Sequence, residues 1–215
     1  LVTNLDLALD TFTNQGGTIQ GDDVQLSTRV LINQDHAGTN GTISQGVIQA
    51  RGAVSASDAT QGALSLTATD QLTHQDTATL EATGNLALNG HTLNLNSRVN
   101  SDQDVSVTGT NISVSGQLMA GVIATPQTDG SVTTTYNDQA NLILNASDQL
   151  TLNANSQIDS AGALNLSANT LTGTNTTLNS AGDSYLQVDQ QLALVNSQIN
   201  SQNLTIHGKL DSSQS

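Results

Sequence analysis

The side chains best suited to chemistry in this sequence are its carboxylates, among them Asp22, Asp23, Asp102, Asp104, Asp148 and Asp189. Acids stacked on one face hold Ca²⁺ through hard oxygen ligands. Beside a basic group they also act as the acid and base of polysaccharide cleavage. Sugar chemistry further calls for aromatic platforms and cations. The only aromatics are Phe12, Tyr136 and Tyr185, and the only cations are Arg29, Arg51, Arg98 and Lys209. The segment GGTIQGDD at 16–23 does not match the GGxGxD repeat that binds Ca²⁺. The acids therefore read as turn formers on a solvated surface, and no catalytic residue is assigned.

The histidines lead to the same reading. His36, His74, His91 and His207 are scattered, and the 17 residues between His74 and His91 do not fit a shared metal in successive repeats. They are expected on the surface. There is no Ser/His/Asp nucleophile motif, P-loop or dinucleotide fingerprint, so no cofactor, metal or enzyme activity is expected. One apolar group stands apart. Met119, Val122 and Ile123 precede Tyr136 in a segment that also holds the only proline, Pro126. An exposed tyrosine beside aliphatics suits a partner-binding surface. The plainer reading is an insertion whose apolar residues pack back on the body of the protein.

Composition narrows the partners. The net charge is −14 over 215 residues, and the few cations are dispersed. Neither a nucleic-acid backbone nor an anionic membrane surface finds a basic patch here. No apolar run approaches the ~20 residues of a membrane span, so direct membrane insertion is not expected. With no cysteine, disulfides and thiol chemistry are excluded. The chain starts at Leu1 and ends in SSQS, and it reads as a piece of something longer.

What must position all these residues is a repeat. An aliphatic–x–aliphatic pair recurs at Leu5/Leu7, Val24/Leu26, Leu64/Leu66, Leu86/Leu88, Val105/Val107, Leu142/Leu144, Leu164/Leu166, Leu186/Val188 and Leu204/Ile206. A second apolar position follows each regular pair, as at Leu72, Leu93, Ile112, Leu150, Leu171 and Leu192. A third comes after a similar gap, at Leu80, Val99, Leu118, Ile158, Leu178 and Ile199. Period-2 alternation puts each pair on one face. A single unit cannot bury that face, but stacked units can. Asn, Asp, Gly and Ser fill the gaps, where turns need them. The expected fold is an all-β, right-handed parallel β-helix of about nine coils with three short strands per coil. It forms one segment over 1–215, regular over 64–118 and 142–206. Two stretches, 33–62 and 119–141, break the period and read as irregular excursions.

The segments GNLALNGHTLNLNSRVNSDQDVSV (84–107) and GALNLSANTLTGTNTTLNSAGDSYLQV (162–188) resemble the haemagglutinin repeats of filamentous haemagglutinin. The same repeats occur in related two-partner-secreted exoproteins, including contact-dependent growth inhibition effectors. The resemblance covers most of 64–118 and 142–206, and more loosely 1–32. It implies a secreted protein on the bacterial cell surface, exported through an outer-membrane transporter of the two-partner type. It implies adhesion to a host receptor or toxin delivery to a neighbouring bacterial cell, both roles in virulence or competition. The secretion-domain motifs NPNL and NPNG are absent, so this region resembles the shaft. A carbohydrate-active β-helix enzyme, and receptor binding by the irregular loops, are the alternatives.

Overall fold

A computed structural model describes residues 8–52, 61–127 and 131–208. The paired apolar positions of the sequence become two large parallel sheets. The first has nine strands: Ala8–Gln15, Val24–Gln34, Leu64–His74, Leu86–Leu95, Val105–Val114, Leu142–Leu152, Leu164–Thr174, Ser184–Val195 and Leu204–Gly208. The second has eight shorter ones: Thr18–Gly21, Val47–Ala50, Thr79–Ala82, Arg98–Ser101, Gln117–Ala120, Gln157–Ser160, Thr177–Ser180 and Gln198–Asn200. The chain alternates between the sheets, and each strand pairs with its equivalent one coil away. This is a parallel β-helix. The Leu5/Leu7 pair lies outside the described residues.

The three apolar positions of each unit all point inward. Leu66, Leu72 and Leu80 are fully buried, as are Leu88, Leu93 and Val99 in the next coil. Equivalent residues sit in register, Leu72 over Leu93 and Leu80 over Val99, and the whole set forms one continuous apolar cluster. The first two positions share one long strand. The corner between them is a register shift within the ladder, between Ala68 and Gln71 in one coil and between Asn145 and Gln149 in another. There the repeated DQ of ATDQLT and ASDQLT is exposed together with the preceding Thr69 and Ser147, while Ala68, Leu72, Ala146 and Leu150 stay buried. A bulge bends the strand without ending its pairing.

The other two corners have their own residue chemistry. Between the long and short strands, Asp76, Asn155, Asn175 and Asn196 take the left-handed conformation, with φ of 66°, 67°, 52° and 49°. Asn and Asp tolerate it best among residues with a Cβ. Just before several of the long strands an Asx side chain recurs. Asp23 accepts from the Ala63 amide at 3.0 Å, Asp104 from the Asn141 amide at 2.7 Å, and Asn141 from the Ala163 amide at 3.0 Å. Each links a corner to the coil stacked on it.

Both irregular stretches are insertions at corners of intact coils. Within 33–62, the strand Val47–Ala50 is a regular member of the second sheet. A small antiparallel hairpin, His36–Ala37 with Ile43–Ser44, precedes it. Residues 53–60, which follow it, are outside the described set. Within 119–141, Val122–Pro126 and Val132–Tyr136 form a second antiparallel hairpin. Leu86 and its register partner Val105 are 19 residues apart, whereas Val105 and Leu142 are 37 apart, so 18 residues have been added.

Candidate functional site

The second sheet shows the hairpin an outer face built from two rows of side chains. One row runs through Thr79, Arg98, Gln117 and Gln157; the other runs through Gln49, Glu81, Asn100, Met119, Asp159 and Asn179. Amides and carboxylates of successive coils bond along these rows. Asn200 donates to Asn179 at 2.7 Å, Asn179 to Asp159 at 2.6 Å, and Gln49 to Gln20 at 2.6 Å. Met119 is the one apolar member of its row among these residues.

The hairpin leaves the corner next to Met119. Its base is closed by the Asn137 amide, which donates to the Gly121 carbonyl at 2.8 Å. Gly121 has φ of +72°, and a Cβ there would lie 2.6 Å from the Asn137 carbonyl oxygen. The hairpin therefore needs glycine at its base. Val122 and Tyr136 pair across it. Asn137 also ties it to the preceding coil, donating to the Asp102 carbonyl at 3.1 Å and to Gln103 Oε1 at 2.9 Å.

The hairpin wall divides the outer face into two troughs. Met119, Val122 and Tyr136 border one of about 570 Å³, floored by Asp159 and Asn179. Ile123 borders the other side with Ala124 and Val132. Three of the four proposed partner-binding residues thus come together, and Ile123 is parted from them. Met119, Val122 and Ile123 are half-buried, while Tyr136 is 70% exposed.

The trough beyond Ile123 continues across the sheet as two adjoining hollows of about 460 and 620 Å³. Arg51, Glu81 and Arg98 line both. Arg51 is held by two bonds: its Nη2 meets Glu81 at 2.7 Å and its Nε donates to Gln49 at 2.6 Å. Among the described residues Arg98 makes no ion pair, and its Nε is buried without a hydrogen-bond partner. Asn100, in the next row, is 8% exposed, and its Oδ1 likewise lacks a partner. Burial raises the Asp102 carboxyl above its ordinary range; nearby Arg51 opposes this and Glu81 adds to it.

This charged trough was not legible as a site. Arg51, Glu81 and Arg98 sit on three different coils, and only the lateral register places them together. The register signal was present, because Glu81 follows Leu80 as Asn100 follows Val99.

Three of the acids singled out in the sequence serve as local hydrogen-bond acceptors. Asp23 and Asp104 cap backbone amides at corners, as above. Asp189 accepts from Gln187 at 2.7 Å on the first sheet. Among the described residues no group of three or more acids and histidines is placed to hold a metal.

His74 corrects the expectation of surface histidines. It is fully buried, at the inward position that Leu95 fills one coil later. There it ends a polar column inside the tube. Asn14 Nδ2 donates to Asn33 Oδ1 at 2.8 Å, and Asn33 Nδ2 reaches His74 Nδ1 at 3.3 Å. His74 Nε2 lies 2.9 Å from the Arg98 carbonyl oxygen. A carbonyl only accepts, so Nε2 carries the proton and Nδ1 accepts. Desolvation holds the ring well below its ordinary range, at about 4. His91 is exposed on the next coil; the two do not share a site.

Family models, curated proteins and solved structures yield no match to this chain.

Proposed function

We propose that this chain is a shaft segment of a large secreted bacterial surface filament that serves cell adhesion or contact-dependent toxin delivery. One observation carries the reading: a single aliphatic core runs from Val24 to Val188 through successive coils, with a left-handed Asn or Asp corner recurring at four of them. Such a stack is indefinitely extendable, because each coil presents to the next what it received from the last. Its acidic character keeps a long rod from self-association. The haemagglutinin-type repeat pattern supports export by an outer-membrane partner. Antibodies raised against the chain should label extended fibres on intact cells of the bacterium that encodes it. Labelling confined to the cell interior would overturn the proposal.

A second reading, receptor binding by the irregular segments, is favoured by the hairpin. Tyr136 and Val132 stand exposed on it, above an otherwise polar face. Removal of 122–139 should abolish cell binding under this reading; unchanged binding would sink it. A carbohydrate-active enzyme has one feature in its favour, the shared trough of Glu81, Asp102, Arg51 and Arg98. Release of product from acidic polysaccharides would replace the shaft reading.

A further inference from the structure

We propose that the trough over Arg98 and Asn100 binds a hydroxylated carboxylate, an acidic sugar, either free or as a unit of a glycan. The inference stands on the trough itself and holds whether or not the chain is part of a filament.

Two residues that line this hollow each carry a buried polar atom with no partner, and the two atoms are of opposite kind. Arg98 Nε is a donor; Asn100 Oδ1 is an acceptor. Leaving such atoms unpaired is costly, and both side chains belong to the lining of the same hollow. A simple anion would satisfy only Arg98. A sugar acid satisfies both, its carboxylate accepting from the guanidinium and a neighbouring hydroxyl donating to Asn100. A guanidinium fork suits a carboxylate in particular. The rest of the lining includes Thr79 and Gln117, which offer a hydroxyl and an amide carbonyl to sugar hydroxyls.

The surroundings also set the density of charge. Arg51 is already neutralised by Glu81, and Asp76 and Asp102 border the hollows. Arg98 is thus the single uncompensated cation in the trough, within a chain of net charge −14. A ligand with isolated carboxylates fits; a densely sulfated polymer is repelled. A peptide strand fits less well, because the middle of a sheet has no free backbone groups to pair with it. The trough crosses four strands, from Val47–Ala50 to Gln117–Ala120. At ~4.8 Å per strand, that is a length for several sugar units.

The test is calorimetric titration of the 215-residue chain with hyaluronan hexasaccharide, whose glucuronates alternate with neutral units, and with free glucuronate. Heparin and dextran serve as controls. The hexasaccharide should bind. Free glucuronate binding through the same residues would assign the site to the monomer chemistry; hexasaccharide binding alone would assign it to a glycan. Arg98→Gln should weaken binding about tenfold or more, and Arg98→Lys should restore part of it. Asn100→Ala should weaken binding without lowering the melting temperature, since it removes an orphaned acceptor. Arg29→Gln, on the first sheet, should change nothing. Failure of both carboxylate probes to bind would overturn the proposal. So would undiminished binding by Arg98→Gln, or heparin binding as tightly as the hexasaccharide.

Discussion

His74 occupies a leucine's place, and the cost of that choice depends on its neighbours. Asn14, Asn33 and His74 satisfy one another inside the tube, and Asn33 also donates to the Gly46 and Thr79 carbonyls at 3.2 Å each. A buried network is robust while complete and fragile when broken. Asn33→Ala should cost about 1–3 kcal/mol for each buried group left unpaired, measured by urea denaturation. The ring also makes stability depend on pH. Folded, it stays neutral down to about 4; unfolded, it takes a proton near 6.5. Between those values the unfolded chain binds more protons, so stability is full above the upper value and falls as pH drops toward the lower. The loss should approach about 3 kcal/mol. His74→Leu should remove that part of the acid sensitivity, seen as a smaller stability difference between pH 7 and pH 4.5. None of this was legible in the sequence, where a lone histidine among polar residues looks solvated. The missing information was that an inward position follows Leu72 by two residues, as Leu95 follows Leu93.

Corners and strands were legible to different degrees. Six of the eight described strands of the second sheet have their apolar position where the third position of the repeat was read, because an inward aliphatic leaves a periodic mark; Ile19 and Ile48 fill the same place in the other two and were not read. The corner inside the long strand was read as a break between strands. A bulge and a turn use the same residues, and only the hydrogen-bond ladder separates them. The left-handed corners make a clear prediction at this scale. Asn175→Val should destabilise by about 1–2 kcal/mol, the cost of a branched residue at positive φ. Asn175→Gly should be close to neutral. Thermal melts of the pair distinguish a conformational requirement from a lost side-chain contact. The large hairpin is an addition to a complete coil. Removing 122–139 joins Gly121 to Ala140 and restores the 19-residue spacing seen between Leu86 and Val105. Stability should change by no more than about 1 kcal/mol, since closing a shorter loop costs less entropy. Loss of cooperative unfolding would show that the hairpin holds its neighbours together.

Across the whole molecule, contacts join each coil mainly to the one above and the one below. Stability is then a sum of coils and their interfaces, without the web of distant contacts found in a globular domain. A charge buried in one coil should cut the stack locally. Val107→Asp, at a fully buried position in the middle of the first sheet, should yield protease-resistant pieces from either side of the cut. Uniform digestion of the whole chain would show cooperativity longer in range than nearest neighbours. Function was less legible at this scale than architecture. A repeat specifies how coils stack, but side chains 17 to 30 residues apart meet only through lateral register, as Arg51, Glu81 and Arg98 do.

The same parallel ladders have a mechanical meaning. Every backbone hydrogen bond between coils lies along the axis of the stack, so a pull on the two ends loads all bonds of one junction together. Successive junctions carry that tension in series, and the weakest yields first. Each yielding coil of ~20 residues releases roughly 60–70 Å of slack chain, while the remaining coils stay folded. A rod built this way lengthens in steps under load, and so absorbs a shock that would snap a rigid tether.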